Sequence, residues 1–246
     1  MVDFTIVEKI FVYNPLEITG YAAGAALLLT LLIIADKPKK VFAKVLFFLL
    51  LALIILGTTA YITGDTLYKI KNSPTKGPVH WHADFRIFRC GEELDLIDPQ
   101  GLSNRIGVPT VHEHGDKRIH VEGLIADLEE ASLAGFFEAT GGMLTKEKLV
   151  FPTNTGEETL HNGDQCNGAE GLLQVFLWET AERLSGGPIA VQRKLVDFPS
   201  YVMKSEELIP PGDCIIFEFD PEKEKTRYIC EQYEVAASRG DIVIER

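Results

Sequence analysis

Two long apolar runs precede a region of alternating residues. Leu16 to Ala35 carries one charge, Glu17, near its start, and Val45 to Thr63 carries none. A helix of about 19–20 residues is about 30 Å long, enough to cross the hydrocarbon core of a bilayer. Pro15 suits the first turn of the first helix, where a backbone N–H is not needed. So short a segment could not bury both runs in a soluble core. The late start of the first run, without a basic leader, argues against a cleaved signal peptide. The pattern predicts a two-helix transmembrane hairpin over residues 1–63, with helices about 16–35 and 41–63, turning at Asp36-Lys37-Pro38-Lys39-Lys40.

Residues 64–79 read as a linker. Thr66 to Lys71 can continue the second helix, Ser73-Pro74 stops it, and Lys76-Gly77-Pro78 leads onward. From residue 80 the period changes to two. Trp81, Ala83, Phe85 and Ile87 fall on one face of a strand, and His80, His82, Asp84 and Arg86 on the other. Thr110–His114 and Arg118–Glu122 form a predicted hairpin around Gly115-Asp116. Leu172–Trp178 and Cys214–Phe219 are apolar strands, the latter after the turn Pro210-Pro211-Gly212-Asp213, with Val191–Leu195 as a partner. One short helix stands out, Leu133 to Glu138, with Ser132 as N-cap and Gly141-Gly142 as its stop. Residues 80–246 are thus expected to form one mostly-β α+β domain, with Trp81 and Trp178 in its core.

Charge separates the same two parts. The net charge is −12, but residues 1–76 hold 8 Lys/Arg against 5 Asp/Glu, a balance of +3, and residues 77–246 hold 16 against 31, a balance of −15. So acidic a domain is repelled by phosphate unless it carries a segregated basic face, so nucleic acid is not an expected partner. The lipid bilayer is one, and another envelope protein is a candidate second. Lysines do not orient the hairpin: Lys37, Lys39, Lys40 and Lys44 on the loop side face Lys9, Lys69, Lys71 and Lys76 on the other. The cysteines break the tie. Cys90, Cys166, Cys214 and Cys230 all follow the second helix, and none forms a C-x-x-C pair, which fits two disulfides in an oxidising compartment. Of three connectivities, Cys90–Cys166 with Cys214–Cys230 is the one adopted. The expected location is the cytoplasmic (plasma) membrane, crossed twice, with both termini and the acidic domain outside.

Five of the six histidines lie between residues 80 and 120. His80 and His82 share a strand face, as do His112 and His114. A two-residue hairpin loop would mix polar and apolar residues on both faces. A loop at 115–117 pairs residue 112 with 120 and 111 with 121, which puts Val111, Ile119 and Val121 on one side and His112, His114, Arg118 and His120 on the other. That register places Lys117, rather than Gly, in the left-handed loop position. If the strand of His80 and His82 lies alongside, four or five imidazoles gather. Neutral imidazole binds copper or zinc, and three His with an open position describe a catalytic or exchangeable site. Asp84, Glu113 and Glu122 are candidates for a carboxylate ligand or orienting partner. The competing reading is a hydrogen-bonded polar network without metal. His161 stands apart in a predicted exposed turn.

No G-x-S-x-G, P-loop, G-x-G-x-x-G or H-E-x-x-H motif occurs, so the common hydrolase, nucleotide and zincin chemistries have no support. His112-Glu113-His114 shares H-x-H with the cupin pattern, but Ile119 stands where that pattern needs Glu, and no His follows Pro211-Gly212-Asp213.

Val79-His80-Trp81-His82-Ala83, then His112-x-His114 with Arg118-Ile119-His120-Val121-Glu122-Gly123, then Leu133-Ala134-Gly135-Phe136-Phe137-Glu138, then Pro211-Gly212-Asp213-Cys214-Ile215-Ile216 follow a distinctive order. That order resembles a group of uncharacterised membrane-anchored proteins of archaea and candidate-phylum bacteria, over about residues 79–220. The resemblance implies no particular activity. Two hairpin strands, a helix and later strands suggest a β-grasp-like domain, with a β-sandwich as the alternative. The expected function is metal binding by an extracytoplasmic domain through His82, His112, His114 and His120, with His80 as a fifth candidate. A non-catalytic envelope interaction protein is the alternative, and a metal-dependent enzyme the third reading.

Overall fold

The computed structural model describes residues 14–36, 39–182, 187–203 and 212–244. Lys9, residues 37–38 of the expected helix turn and the Pro210-Pro211 pair lie outside them. The chain divides into two compact units, Met1–Asn72 and Ser73–Arg246.

The first unit is a pair of helices, α1 (Pro15–Asp36) and α2 (Val41–Asn72), packed against one another. Asn14 Oδ1 accepts from the Leu16 N–H at 2.9 Å, and Pro15 occupies the first helical position. Both helices are long and apolar enough to cross a membrane. Their large side chains, among them Leu27, Leu31, Phe48, Leu53 and Leu56, are exposed around the helices rather than enclosed, as expected of segments whose solvent is lipid. Beyond Thr63, α2 continues into polar turns, where Lys69 pairs with Asp65 at 2.8 Å. Residues 64–72 are therefore helical, and only Ser73–Pro78 separates α2 from the first strand.

The second unit contains strands β1 (Val79–Arg89), β2 (Glu92–Leu94), β3 (Ile106–Gly107), β4 (Val111–Glu113), β5 (Arg118–Gly123), β6 (Met143–Leu144), β7 (Lys148–Thr153), β8 (Gly156–His161), β9 (Gln165–Cys166), β10 (Ala169–Glu170), β11 (Leu172–Ala181), β12 (Ile189–Leu195), β13 (Asp213–Asp220) and β14 (Val243–Ile244). Two α-helices join them, α3 (Leu133–Ala139) and α4 (Glu231–Arg239). The main sheet has nine strands in the order β14-β12-β11-β13-β1-β5-β4-β3, with β2 beside β1. It is mixed: β1 runs parallel to β13 and antiparallel to β5. Strands β6, β7 and β8 form a separate antiparallel sheet.

Alternation sorts the main sheet into two apolar faces. On one, Ala83, Phe85, Ile87, Ile119, Val121, Ile215 and Phe217 pack with Phe136 and Phe137 of α3 and with Leu149, Phe151 and Leu160 of the small sheet. On the other, Phe88, Phe176, Trp178, Cys214 and Ile216 pack with Tyr233 and Ala236 of α4. Trp178 is buried in this second core, while Trp81 is only partly buried against the first. Disulfides Cys90–Cys166 and Cys214–Cys230 are both formed, in the expected connectivity. In the chain-entropy picture each contributes about 3–5 kcal/mol by restricting the unfolded chain.

Helix α4 and strands β6–β8 carry no periodic signal along the chain, so a domain with one helix is too simple. Helix α3 is as expected: the Ser132 hydroxyl accepts from the Gly135 N–H at 3.0 Å, and Gly141 follows with positive φ.

Candidate metal centre

The hairpin register brings the histidines together. Val111 pairs with Val121 and His112 with His120, so the loop is 115–117. Gly115 and Lys117 have φ of 78° and 59°, the left-handed conformations this loop demands. Glu113, pointing away from the imidazoles, stabilises the tip. Its Oε1 accepts the backbone N–H groups of Asp116 and Lys117 at 2.6 and 2.9 Å. Strand β1 then pairs His82 with His120 and His80 with Glu122. All five imidazoles consequently share one sheet face across β1, β5 and β4.

His120 lies at the centre. Its ring centroid is 4.8 Å from His82, 4.8 Å from His114 and 5.4 Å from His112, with the last pair nearly parallel. His80 stands 4.6 Å from His82, and His114 4.8 Å from His112. The ligand atoms form two groups of three, His80–His82–His120 and His112–His114–His120, each with its atoms within 4.8 Å of one another. The five expected histidines thus fall into two overlapping triads that share His120.

The two triads differ in depth. His80 is exposed, His82, His114 and His120 are half-buried, and His112 is 3% exposed. Gly107 explains the cover over His112. It pairs with His112 from edge strand β3 at φ 114°, and a Cβ there would lie 2.5 Å from the Val111 carbonyl oxygen. Only glycine lets the edge strand approach so closely.

Outer groups hold the rings. His112 Nδ1 is buried without a hydrogen-bond partner among the described residues. His114 Nδ1 lies 2.5 Å from the Asn104 carbonyl. His120 Nε2 faces Asp116 Oδ2 at 3.4 Å, and His80 Nε2 faces Glu122 Oε1 at 3.1 Å. A carbonyl or carboxylate on one ring nitrogen fixes the tautomer and presents the other as a lone-pair donor, the usual second layer of a histidine metal site. Burial lowers the pKa of His112, assisted by the neighbouring His114. Burial also lowers that of His120, against the pull of Asp116. Both shifts favour the neutral, ligating form.

Of the three candidate carboxylates, only Glu122 serves an imidazole. Asp84 is held by Arg118, whose Nε donates to Oδ1 at 2.6 Å, and Glu113 is committed to the hairpin tip. The sequence pattern did not point to Asp116 or Asn104 as partners of the rings. Asp116 was within reach of the sequence, because a 115–117 loop folds it back over His120, but the Asn104 carbonyl carries no side-chain signal. His161 ends β8 and opens the expected turn, its carbonyl accepting from the Asp164 N–H at 3.0 Å; it is exposed and far along the chain from the triads.

Comparison with known proteins returns no match to a family model, to a curated protein or to a solved structure.

Proposed function

We propose that this chain is a two-pass membrane protein whose acidic domain stands outside the cytoplasm and binds a transition metal ion, copper or zinc, through His82, His112, His114 and His120, with His80 at the edge. Two helices of membrane-spanning length and two disulfides in the domain that follows support the location, with both termini outside. A β-grasp-like reading of the domain rests on the β1/β5 pair, the crossing helix α3, and the parallel placement of β1 beside β13. Partners in this reading are the bilayer and a second envelope protein.

One observation carries the metal reading: the buried, unpartnered Nδ1 of His112 in a ring grouped with His114 and His120. A buried nitrogen with no partner is costly unless something occupies it. A purely imidazole donor set suits copper and zinc, and three such ligands leave a fourth position open. The test is elemental analysis of the full chain in detergent after dialysis against zinc or copper. Bound metal, lost in His112→Ala, is expected; a metal-free wild-type protein overturns the reading. The His80–Glu122 and His120–Asp116 contacts favour the polar-network alternative, in which a chelator leaves the melting temperature unchanged.

A further inference from the structure

The two triads have one residue in common, and that residue has one ring nitrogen to give. His120 Nε2 faces the Asp116 carboxylate, so a ligand bond from His120 can serve His80–His82 or His112–His114, but not both at once. The remaining donors are imidazoles, which supply no negative charge to offset two dications side by side. Exposure gives the pair a direction. His80 is 64% exposed in its side chain, His120 only 12%, and His112 lies beneath the β3 edge.

We propose that the five histidines form two mutually exclusive three-histidine positions for a single ion: an outer one at His80–His82–His120 and an inner one at His112–His114–His120, between which the ion passes by exchanging two ligands while His120 stays bound. This rests on the metal-binding reading and adds stoichiometry and order to it. The outer position captures an ion from solution with little reorganisation, because its rings are already accessible. The inner position holds it, because His114 is anchored on the Asn104 carbonyl and His112 is buried. No redox step is involved; the ion keeps its charge and changes neighbours. In a tetrahedral imidazole site the nitrogens lie about 3.3 Å apart, around bonds of about 2.0–2.1 Å. Each triad therefore needs a modest closure of its rings around the ion.

The test uses the full chain in detergent with Zn²⁺ or Cu²⁺ alone as the probe. Stoichiometry comes from equilibrium dialysis and loading rate from stopped-flow competition with a chromophoric chelator. Wild type is expected to bind one ion per chain. His80→Ala with His82→Ala should still bind one ion, loading about tenfold more slowly. His112→Ala with His114→Ala should also bind one ion, with affinity lower by about 100-fold, at the upper end of what a perturbed metal site loses. His120→Ala should lower affinity below that of either double variant. If the buried His112 change unfolds the chain, His112→Gln with His114→Gln keeps the polarity and volume and tests the same point. Two ions per wild-type chain, magnetically coupled in the copper form, would make His120 a bridge and overturn the exclusive arrangement. An empty double variant would overturn it too, by showing a single site that needs both pairs. Absence of any ion from wild type would overturn the metal reading itself, a result separable from the other two.

Discussion

Strand β1 presents two halves on the same face, and they solve the same problem differently. Toward its C-terminal end, Asp84 and Arg86 are polar groups whose charges are met by other charges. Arg118 holds Asp84, and Glu93 receives Arg86 through a two-pronged contact at 3.0 and 2.6 Å and Lys117 at 2.9 Å. Toward its N-terminal end, His80 and His82 sit edge to face among imidazole rings. One half is built of paired charges; the other is built of stacked imidazoles with carboxylates at their rim, His80 facing Glu122 and His120 facing Asp116. The proposed metal site thus falls on the half in which rings, rather than opposite charges, meet one another.

The comparison can be broken most severely at Asp84. Asp84→Asn leaves the Arg118 guanidinium beside a neutral amide in a buried position and is expected to cost about 3 kcal/mol of stability, measured by urea unfolding, with ion stoichiometry unchanged. Loss of the ion as well would mean that the two halves are one network. Next is Gly107→Ala. The added Cβ meets the Val111 carbonyl and forces a left-handed residue on the edge strand, so about 2 kcal/mol is expected, together with weaker metal binding as His112 is uncovered. Asp116→Asn retains the shape of the hairpin tip but weakens the partner of His120. An affinity loss of about tenfold, read by dialysis, with little change in melting temperature would sharpen the assignment.

The smallest effect is expected at Glu93 and carries a pH signature. The Arg86 guanidinium, then Lys117, hold its carboxyl down to about 2. A carboxylate depressed in the folded state stabilises above its unfolded value, about 4.3, and loses that contribution as pH falls toward 2. Because the group is partly exposed, the gain is roughly 1 kcal/mol after solvent screening. Wild type and Glu93→Gln should therefore differ at pH 6 and converge near pH 2; a difference that persists in acid would show the contact is not ionic.

The parts legible in the sequence are those in which one residue of slippage is penalised. The hairpin register followed from keeping Val111, Ile119 and Val121 together, and that register alone accounts for the positive φ at Lys117. The two long apolar helices followed from length. Illegible parts lacked periodicity. Strand β8 buries only Leu160, β7 is interrupted by Pro152, and α4 buries just Tyr233 and Ala236 behind an N-cap, Cys230, that makes no side-chain hydrogen bond. The site was half legible for a related reason. Alternation placed the imidazoles on one face, but their division into two triads depends on ring orientations set by backbone carbonyls, and backbone has no letter in the sequence.

The strand order has a temporal consequence. The partners that assemble the imidazole face, β1, β4 and β5, all lie within residues 79–123, whereas the other neighbour of β1 is β13, which pairs Asp84 with Cys214 near the far end of the chain. Pairings between near neighbours close small loops and form early, while the parallel β1–β13 contact must wait for a distant strand. The histidine half of the sheet is thus the half whose strands are all synthesised first, and an ion arriving during assembly would find its ligands gathered on an otherwise unfinished sheet.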